Sequence, residues 1–309
     1  MPSFASDVKN ALSRTDVDRA CCQTAELAAL LRMGASAATD GVRGTGLRFT
    51  AASASVARRV IRLLRAMDSS IETSVAMERT PQLRRRLYIV NIAAGETATP
   101  LLARLGFSAD GALRTGSDLA LLRKKCCRAA YLRGAFLGGG SVNRPEAACH
   151  LEITSRSEAM GRALHTLLRR LHFPVGITDR HEMYVVYLKE GDAVMDFLSL
   201  VGVEEAAEEI EVARNLKEVR AQVNRIVNVE TANLQRAVDA AADQTAAIVR
   251  LEETGRLAAL PEELRETAEM RRAHPEISMA ELAELCHISK SGMSHRLRKL
   301  RMMAEEETD

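Results

Sequence analysis

Residues 126–141, CCRAAYLRGAFLGGGS, repeat residues 21–36, CCQTAELAALLRMGAS, at an offset of 105 positions (21 to 126). The doubled cysteines coincide, as do Ala25 with Ala130, Leu27 with Leu132, Gly34 with Gly139 and Ser36 with Ser141. One position out of that register, LRFTAASASVARRVIRLLRAM (47–67) falls on LEITSRSEAMGRALHTLLRRL (151–171). Further on, RRLYIVNI (85–92) falls on HEMYVVYL (181–188) after a shorter connection. Three segments agreeing in the same order make chance similarity of short αβ units a poor explanation, and a period of this length points to duplication.

Each copy reads as helix, Gly-rich turn, strand, helix, strand, strand, helix. Val56, Val60, Ile61, Leu63, Leu64 and Met67 form a helical stripe between strands expected near 46–50 and 86–92. Met160, Leu164, Leu167, Leu168 and Leu171 do the same between strands near 149–154 and 183–188. The expectation is a duplicated α+β domain with a pseudo-two-fold axis over residues 1–203, copy one at about 15–110 and copy two at about 118–203.

The texture changes at Val201. From Val203 to Thr254 there is neither Pro nor Gly, and Ala, Glu, Arg and Gln dominate, which is long-helix composition. Val212, Leu216, Val219, Val223 and Ile226 repeat at helical spacing, and Lys217, Arg220, Asn224, Asn228, Thr231 and Gln235 follow another face. Residues 204–255 are therefore expected to be a helical arm. Its amides and cations suit either phosphate contact or a polar face between domains.

Residues 256–309 carry the densest local pattern. Ser278 with Glu281 makes a capping box for a helix from Met279 to Cys286. Ser289 caps another from Lys290 to Arg301, and Glu262 to Ala273 supplies a preceding helix. Leu282, Cys286, Ile288, Met293 and Leu297 fall at core positions of a helix-turn-helix, with His287 where Gly is usual in the turn. The predicted DNA-contacting set is Ser289, Lys290, Ser291, Ser294, His295, Arg296, Arg298 and Lys299. A helical bundle with a charged face would show some of this pattern, but not core, cap and contact positions together.

Composition sets wide bounds. The 309 residues are 47% hydrophobic and 27% charged, with only 3% aromatics, so the core has to be aliphatic. A net charge of +2 neither requires nor excludes nucleic acid. No run approaches the roughly 18 apolar residues of a membrane span, and MPSFASDVKNALSR lacks the apolar centre of a signal peptide. A cytoplasmic, nucleoid-associated protein with no membrane contact is expected. The six cysteines include no C-x-x-C and no His at zinc-finger spacing, so they read as small buried hydrophobes, with no metal and no cofactor.

LRGAFLGGG (132–140) resembles the nine-residue motif of the LAGLIDADG homing endonucleases. That resemblance implies a saddle of two sheets whose motif helices pack at the axis. It also implies an acid at the eighth motif position of each copy, holding the divalent metals of phosphodiester cleavage. Those slots are Gly34 and Gly139 here, and Glu146 and Glu152 lie outside the motif. With the arm segment N-R-x-x-N-x-x-T-A-N (224–233) and SKSGMSHRLRKL (289–300), the chain resembles the WhiA family over nearly its whole length. The resemblance implies a non-enzymatic, sequence-specific regulator of bacterial cell division, chromosome segregation or sporulation. Its partners would be double-stranded DNA and other transcription or cell-division proteins. Secondary DNA contacts are expected at Arg220, Asn224, Asn228, Arg84, Arg85 and Arg86, beside further saddle cations at Arg43, Arg48, Arg144, Arg156 and Arg180. A solvated surface accounts for such arginines equally well. Two other readings stay open: a metal-dependent endonuclease with relocated ligands, and an interaction scaffold with a minor DNA role.

Overall fold

The computed structural model describes residues 3–40, 44–80, 85–95, 98–107 and 121–306. They form two compact units, Met1–Leu216 and Lys217–Asp309. No helix among the described residues is long and apolar enough to cross a membrane.

The first unit opens with α1 (Phe4–Arg14) and then runs twice through one plan. Copy one is α2 (Ala20–Gly34), β1 (Ala35–Asp40), β2 (Gly44–Ala51), α3 (Ala54–Met67), β3 (Thr73–Thr80), β4 (Arg85–Ile92) and α4 (Ala98–Arg104). Copy two is α5 (Lys125–Gly139), β5 (Gly140–Val142), β6 (Leu151–Ser155), α6 (Glu158–Arg170), β7 (Gly176–Arg180), β8 (Met183–Leu188) and α7 (Gly191–Val201). Both sheets are antiparallel, ordered β1-β2-β4-β3 and β5-β6-β8-β7.

Strand register reproduces the slips in the repeat. Ala35 pairs with Phe49 where Gly140 pairs with Ile153, so copy two is one residue shorter between these partners. Leu47 pairs with Ile92 where Leu151 pairs with Leu188, the same equivalence as the alignment of 85–92 with 181–188. Alternation sets the buried face. Leu47, Phe49, Val90 and Ile92 are buried in one sheet, and Leu151, Ile153, Val186 and Leu188 in the other. Helix α1, which no second copy echoes, goes beyond the elements expected from the sequence. So do the opening strands β1 and β5, which leave the motif helices without an intervening turn.

The centre of the unit is the crossing of α2 with α5. Ala130, Gly134 and Gly138 stand one helical turn apart on α5. A Cβ at Gly134 would lie 2.3 Å from the Glu26 carbonyl oxygen and 3.0 Å from the Ala29 Cβ. One at Gly138 would lie 2.5 Å from the Met33 Cβ. The backbones therefore meet where Cβ atoms are missing. Glu26 is fully buried at this crossing, and Arg59 from α3 grips both its oxygens, at 2.6 and 3.0 Å. Arg133 from α5 adds a charge contact at 3.2 Å, and Arg59 also donates to the Thr15 carbonyl. The buried carboxylate is thus neutralised by cations from its own copy and from the other.

The α2–α5 crossing also gathers the cysteine pairs. Sγ atoms of Cys21, Cys22, Cys126 and Cys127 all lie within 4.8 Å of one another. This differs from the expectation of small buried hydrophobes, since only Cys22 and Cys127 of the six cysteines are buried.

Helix α8 runs Glu204–Glu253. Every residue from Arg214 to Asp239 is exposed, including Leu216, Val219, Val223 and Ile226 of the apolar stripe, each at 49–58%. A stripe at this spacing usually faces a core; here it does not. In the second unit, after a short 3₁₀ turn (Arg256–Ala259), come α9 (Glu262–Ala273), α10 (Met279–Leu285) and α11 (Lys290–Glu305). Leu264, Ala268, Leu282, Ala283, Met293, Leu297 and Leu300 pack with Ala247, Ile248 and Leu251 from the end of α8. Cys286 and Ile288, expected as core, lie at its margin.

Replacing Gly134 by Ala is expected to cost about 1–3 kcal/mol, because the added carbon meets a backbone carbonyl that cannot rotate away. The control is Gly191→Ala, whose Cβ would find nothing nearer than 3.4 Å. Urea denaturation of the two variants should separate them, the control staying within about 0.5 kcal/mol of the parent.

Candidate nucleic-acid interface

Helix α11 is set by two caps and a left-handed turn. The Ser278 hydroxyl accepts from the Glu281 amide at 3.3 Å, and the Glu281 carboxylate accepts from the Ser278 amide at 2.8 Å. That reciprocal bond holds the Glu281 carboxyl below its usual range. The chain then reverses through His287 at φ 51°, the strained position where glycine is usual. Ser289 follows, its hydroxyl accepting from the Gly292 amide at 3.1 Å and lying 3.0 Å from the Ser291 hydroxyl. Met293, Leu297 and Leu300 then turn inward.

The remaining face is open. Lys290, Ser291, Ser294, His295, Arg298 and Lys299 are all exposed. Residues 291, 295 and 298 stand one turn apart, with 294 and 299 on the flanks. Short polar side chains occupy the N-terminal half and the longer cations Arg298 and Lys299 follow. Arg296 departs from the predicted set: its guanidinium pairs with Glu263 of α9 at 3.2 Å and its side chain is only 19% exposed. The i±1 neighbours of an inward Leu297 fall to opposite sides, and this one lands on α9. Ser289 is engaged as the cap of the helix.

On α8, Arg220, Asn224 and Asn228 are exposed one turn apart, and Lys217, Thr231 and Gln235 are exposed as well. In the sheets, Arg86 is exposed, Arg85 belongs to β4 by its backbone, and Arg84 and Arg43 lie outside the described residues. Arg48 pairs with Glu78 at 2.8 Å, while Arg144, Arg156 and Arg180 are exposed. One residue was missed. Arg79 of β3 faces Arg86 of β4 directly across the ladder. Like charges opposite each other weaken a sheet, and only knowledge of the pairing reveals them.

The feet of the motif helices show why glycine stands at both acid slots. A Cβ on Gly139 would lie 2.3 Å from the Thr154 carbonyl oxygen and 2.4 Å from the Met33 Cε. On Gly34 it would lie 2.8 Å from the Phe49 ring. The single carboxylate on either motif helix is Glu26, buried in its arginine fork. Beside the foot of α5 opens a cleft of about 630 Å³, lined in part by Lys9, Arg86, Gly138, Gly140 and Ser141. Burial pushes the Lys9 ammonium down to about 8. Glu152 lies beside His150 at 3.4 Å, and Glu146 is exposed. Among the described residues, the one group of three or more metal-ligating side chains is the cysteine cluster.

Comparison with known proteins places this geometry. Family models described as the WhiA N-terminal LAGLIDADG-like domain, the WhiA LAGLIDADG-like domain and the WhiA C-terminal HTH domain match residues 20–108, 128–220 and 223–304. Proteins named probable cell division protein WhiA from Heliobacterium modesticaldum and Geobacillus thermodenitrificans are each 40% identical over 98% of this chain, covering 96% and 95% of theirs. The crystal structure of a full-length WhiA from Thermatoga maritima covers 100% of both chains at 24% identity and a TM-score of 0.62. A crystal structure of a WhiA N-terminal LAGLIDADG domain covers 68% of this chain and 97% of its own at 20% identity, TM-score 0.52. Both solved structures show the fold.

Restoring an acid at the second slot should damage the fold before it builds a metal site. Gly139→Asp is expected to lower the stability of the first unit by about 1–3 kcal/mol. Melting curves with and without Mg²⁺ check this, and the expected Mg²⁺ effect is none. A metal-dependent rise in the variant would show that the slot still accepts a ligand.

Proposed function

Because the chain belongs to the WhiA family, we propose that it is a sequence-specific DNA-binding regulator of bacterial cell division that reads DNA with α11 and does not cut it. One observation carries the reading: a capped helix presents six consecutive-turn polar and basic side chains to solvent while its other face is locked into a three-helix core. A recognition helix works this way, its N-terminal residues on base edges and its later cations on phosphate. Ser291, Ser294 and His295 then read the groove. Lys290, Arg298 and Lys299 hold the backbone. Arg296 positions α11 through Glu263 rather than touching DNA.

The saddle and α8 supply secondary contacts in this reading. The Arg79–Arg86 pair is a like-charge arrangement that a phosphate would relieve. Arg220, Asn224 and Asn228 are spaced to follow a strand, and Arg84 and Arg85 are proposed as further contacts. Loss of cleavage is supported by the crowded glycine slots, by Glu26 in its arginine fork and by Lys9 in the cleft at the helix foot. Two-metal phosphodiester chemistry needs hard oxygen ligands at that foot. Effects on chromosome segregation or sporulation, contacts with other transcription or division proteins, and a cytoplasmic, nucleoid-associated location belong to the same proposal.

Two measurements test it. Lys299→Ala should weaken all sequences alike and reduce the salt slope by about one unit, with the preferred site unchanged. Ser294→Ala or His295→Ala should cost about 1–3 kcal/mol at one base pair and relax selectivity there. Affinities for single-base variants of a selected site, taken at several salt concentrations, distinguish the two classes; identical behaviour of all three mutants would refute the orientation. Supercoiled plasmid incubated with the purified protein and Mg²⁺ or Mn²⁺ should stay intact, and chelator-sensitive nicking would refute the loss of cleavage.

A further inference from the structure

The two cysteine pairs meet from different copies of the repeat. Cys21 and Cys22 are the second and third residues of α2, and Cys126 and Cys127 the second and third of α5. Their four Sγ atoms lie within 4.8 Å of one another. Tetrahedral zinc with Zn–S bonds of about 2.3 Å sets its sulfurs about 3.8 Å apart, within reach of small χ1 adjustments. A tetrahedron contains two-fold axes that exchange its ligands in pairs. A pair of ligands repeated about the pseudo-two-fold axis therefore generates the full coordination shell. Cys22 and Cys127 are buried while Cys21 and Cys126 are partly exposed, so the group has a dry side and an entry side.

We propose that Cys21, Cys22, Cys126 and Cys127 bind one structural Zn²⁺ ion that clamps the N-terminal ends of α2 and α5. Soft thiolates in fourfold number select zinc over the hard divalent cations. Binding displaces the four thiol protons and leaves a Zn(S–Cys)₄ centre of charge −2, with no change of oxidation state. That charge faces the N-termini of two helices, which favour anions.

The site is separate from the position of the endonuclease metals. Cys22 and Gly34 are twelve residues apart on one helix, about 18 Å at 1.5 Å per residue. The glycines let the helices touch along their length, and the metal ties their leading ends. A structural site of this kind contributes directly to folding.

The test uses the full-length protein purified under reducing conditions and passed over chelating resin. Elemental analysis should give about one zinc per chain, the stoichiometry of a single four-cysteine site. Replacement by Co²⁺ should give the intense visible bands and sulfur-to-metal charge transfer of a tetrahedral tetrathiolate. Cys22→Ser with Cys127→Ser should abolish both, whereas Cys149→Ser with Cys286→Ser should leave both unchanged. Prolonged treatment with a strong chelator should lower the melting temperature of the parent. The parent measurements decide the matter even if the cluster variant does not fold. Absence of zinc together with no thiolate spectrum on Co²⁺ addition would overturn the proposal. So would undiminished zinc in a folded cluster variant, or a mass showing that these cysteines are paired as disulfides in the protein from the reducing cytosol.

Discussion

Two helix backbones approach one another so closely at Gly134 and Glu26 that a single added carbon would sit 2.3 Å from a carbonyl oxygen. The rest of the first unit follows from that contact. Close approach demands small residues on α5, so Ala130, Gly134 and Gly138 stand one turn apart. It draws Glu26 out of water, which requires the Arg59 fork and the Arg133 contact, because a buried carboxylate without partners is strongly destabilising. It also fixes where each motif helix ends and its strand begins, pressing Gly139 against the Thr154 carbonyl and Gly34 against Phe49. The glycines at the acid slots therefore contribute to packing. An acid cannot return to Gly139 without moving a strand, nor to Gly34 without displacing the Phe49 ring.

Much of this fold was legible because duplication leaves a record at two levels. The offset of 105 between cysteine pairs, the one-residue slip at 47–67 and the shorter connection before 181–188 are properties of the sequence. The same numbers are the pairing register of the two sheets. β1 escaped because ASAATD alternates no large apolar residue with polar ones. β5 is three residues long, and α1 has no counterpart to align with. The stripe on α8 illustrates a limit of periodicity: spacing defines a face, and whether that face is buried depends on elements elsewhere in the chain.

The open face of α11 was readable to a different degree. Caps, core positions and open positions of α10 and α11 follow from local rules, and seven of the eight predicted contact residues are exposed. Ser289 doubles as the cap it was also expected to be. The exception is Arg296, drawn to Glu263, a partner thirty-three residues away. The facing Arg79 and Arg86 require knowledge of strand pairing. The cysteine cluster was hidden for the same reason. Motif rules look for ligands spaced along one segment, whereas these four come together only through the pseudo-two-fold axis.

In the proposed function the two units divide the labour: the first holds two half-domains together through α2 and α5, and the second is proposed to read DNA through α11. Amide hydrogen exchange of the full-length protein, free and bound to a DNA fragment selected from genomic sequence, tests this division most directly. Exchange should slow on DNA binding at residues 289–299, with the central amides of α2 and α5 unchanged. Protection confined to the strands of the first unit, with α11 exchanging as in the free protein, would contradict it.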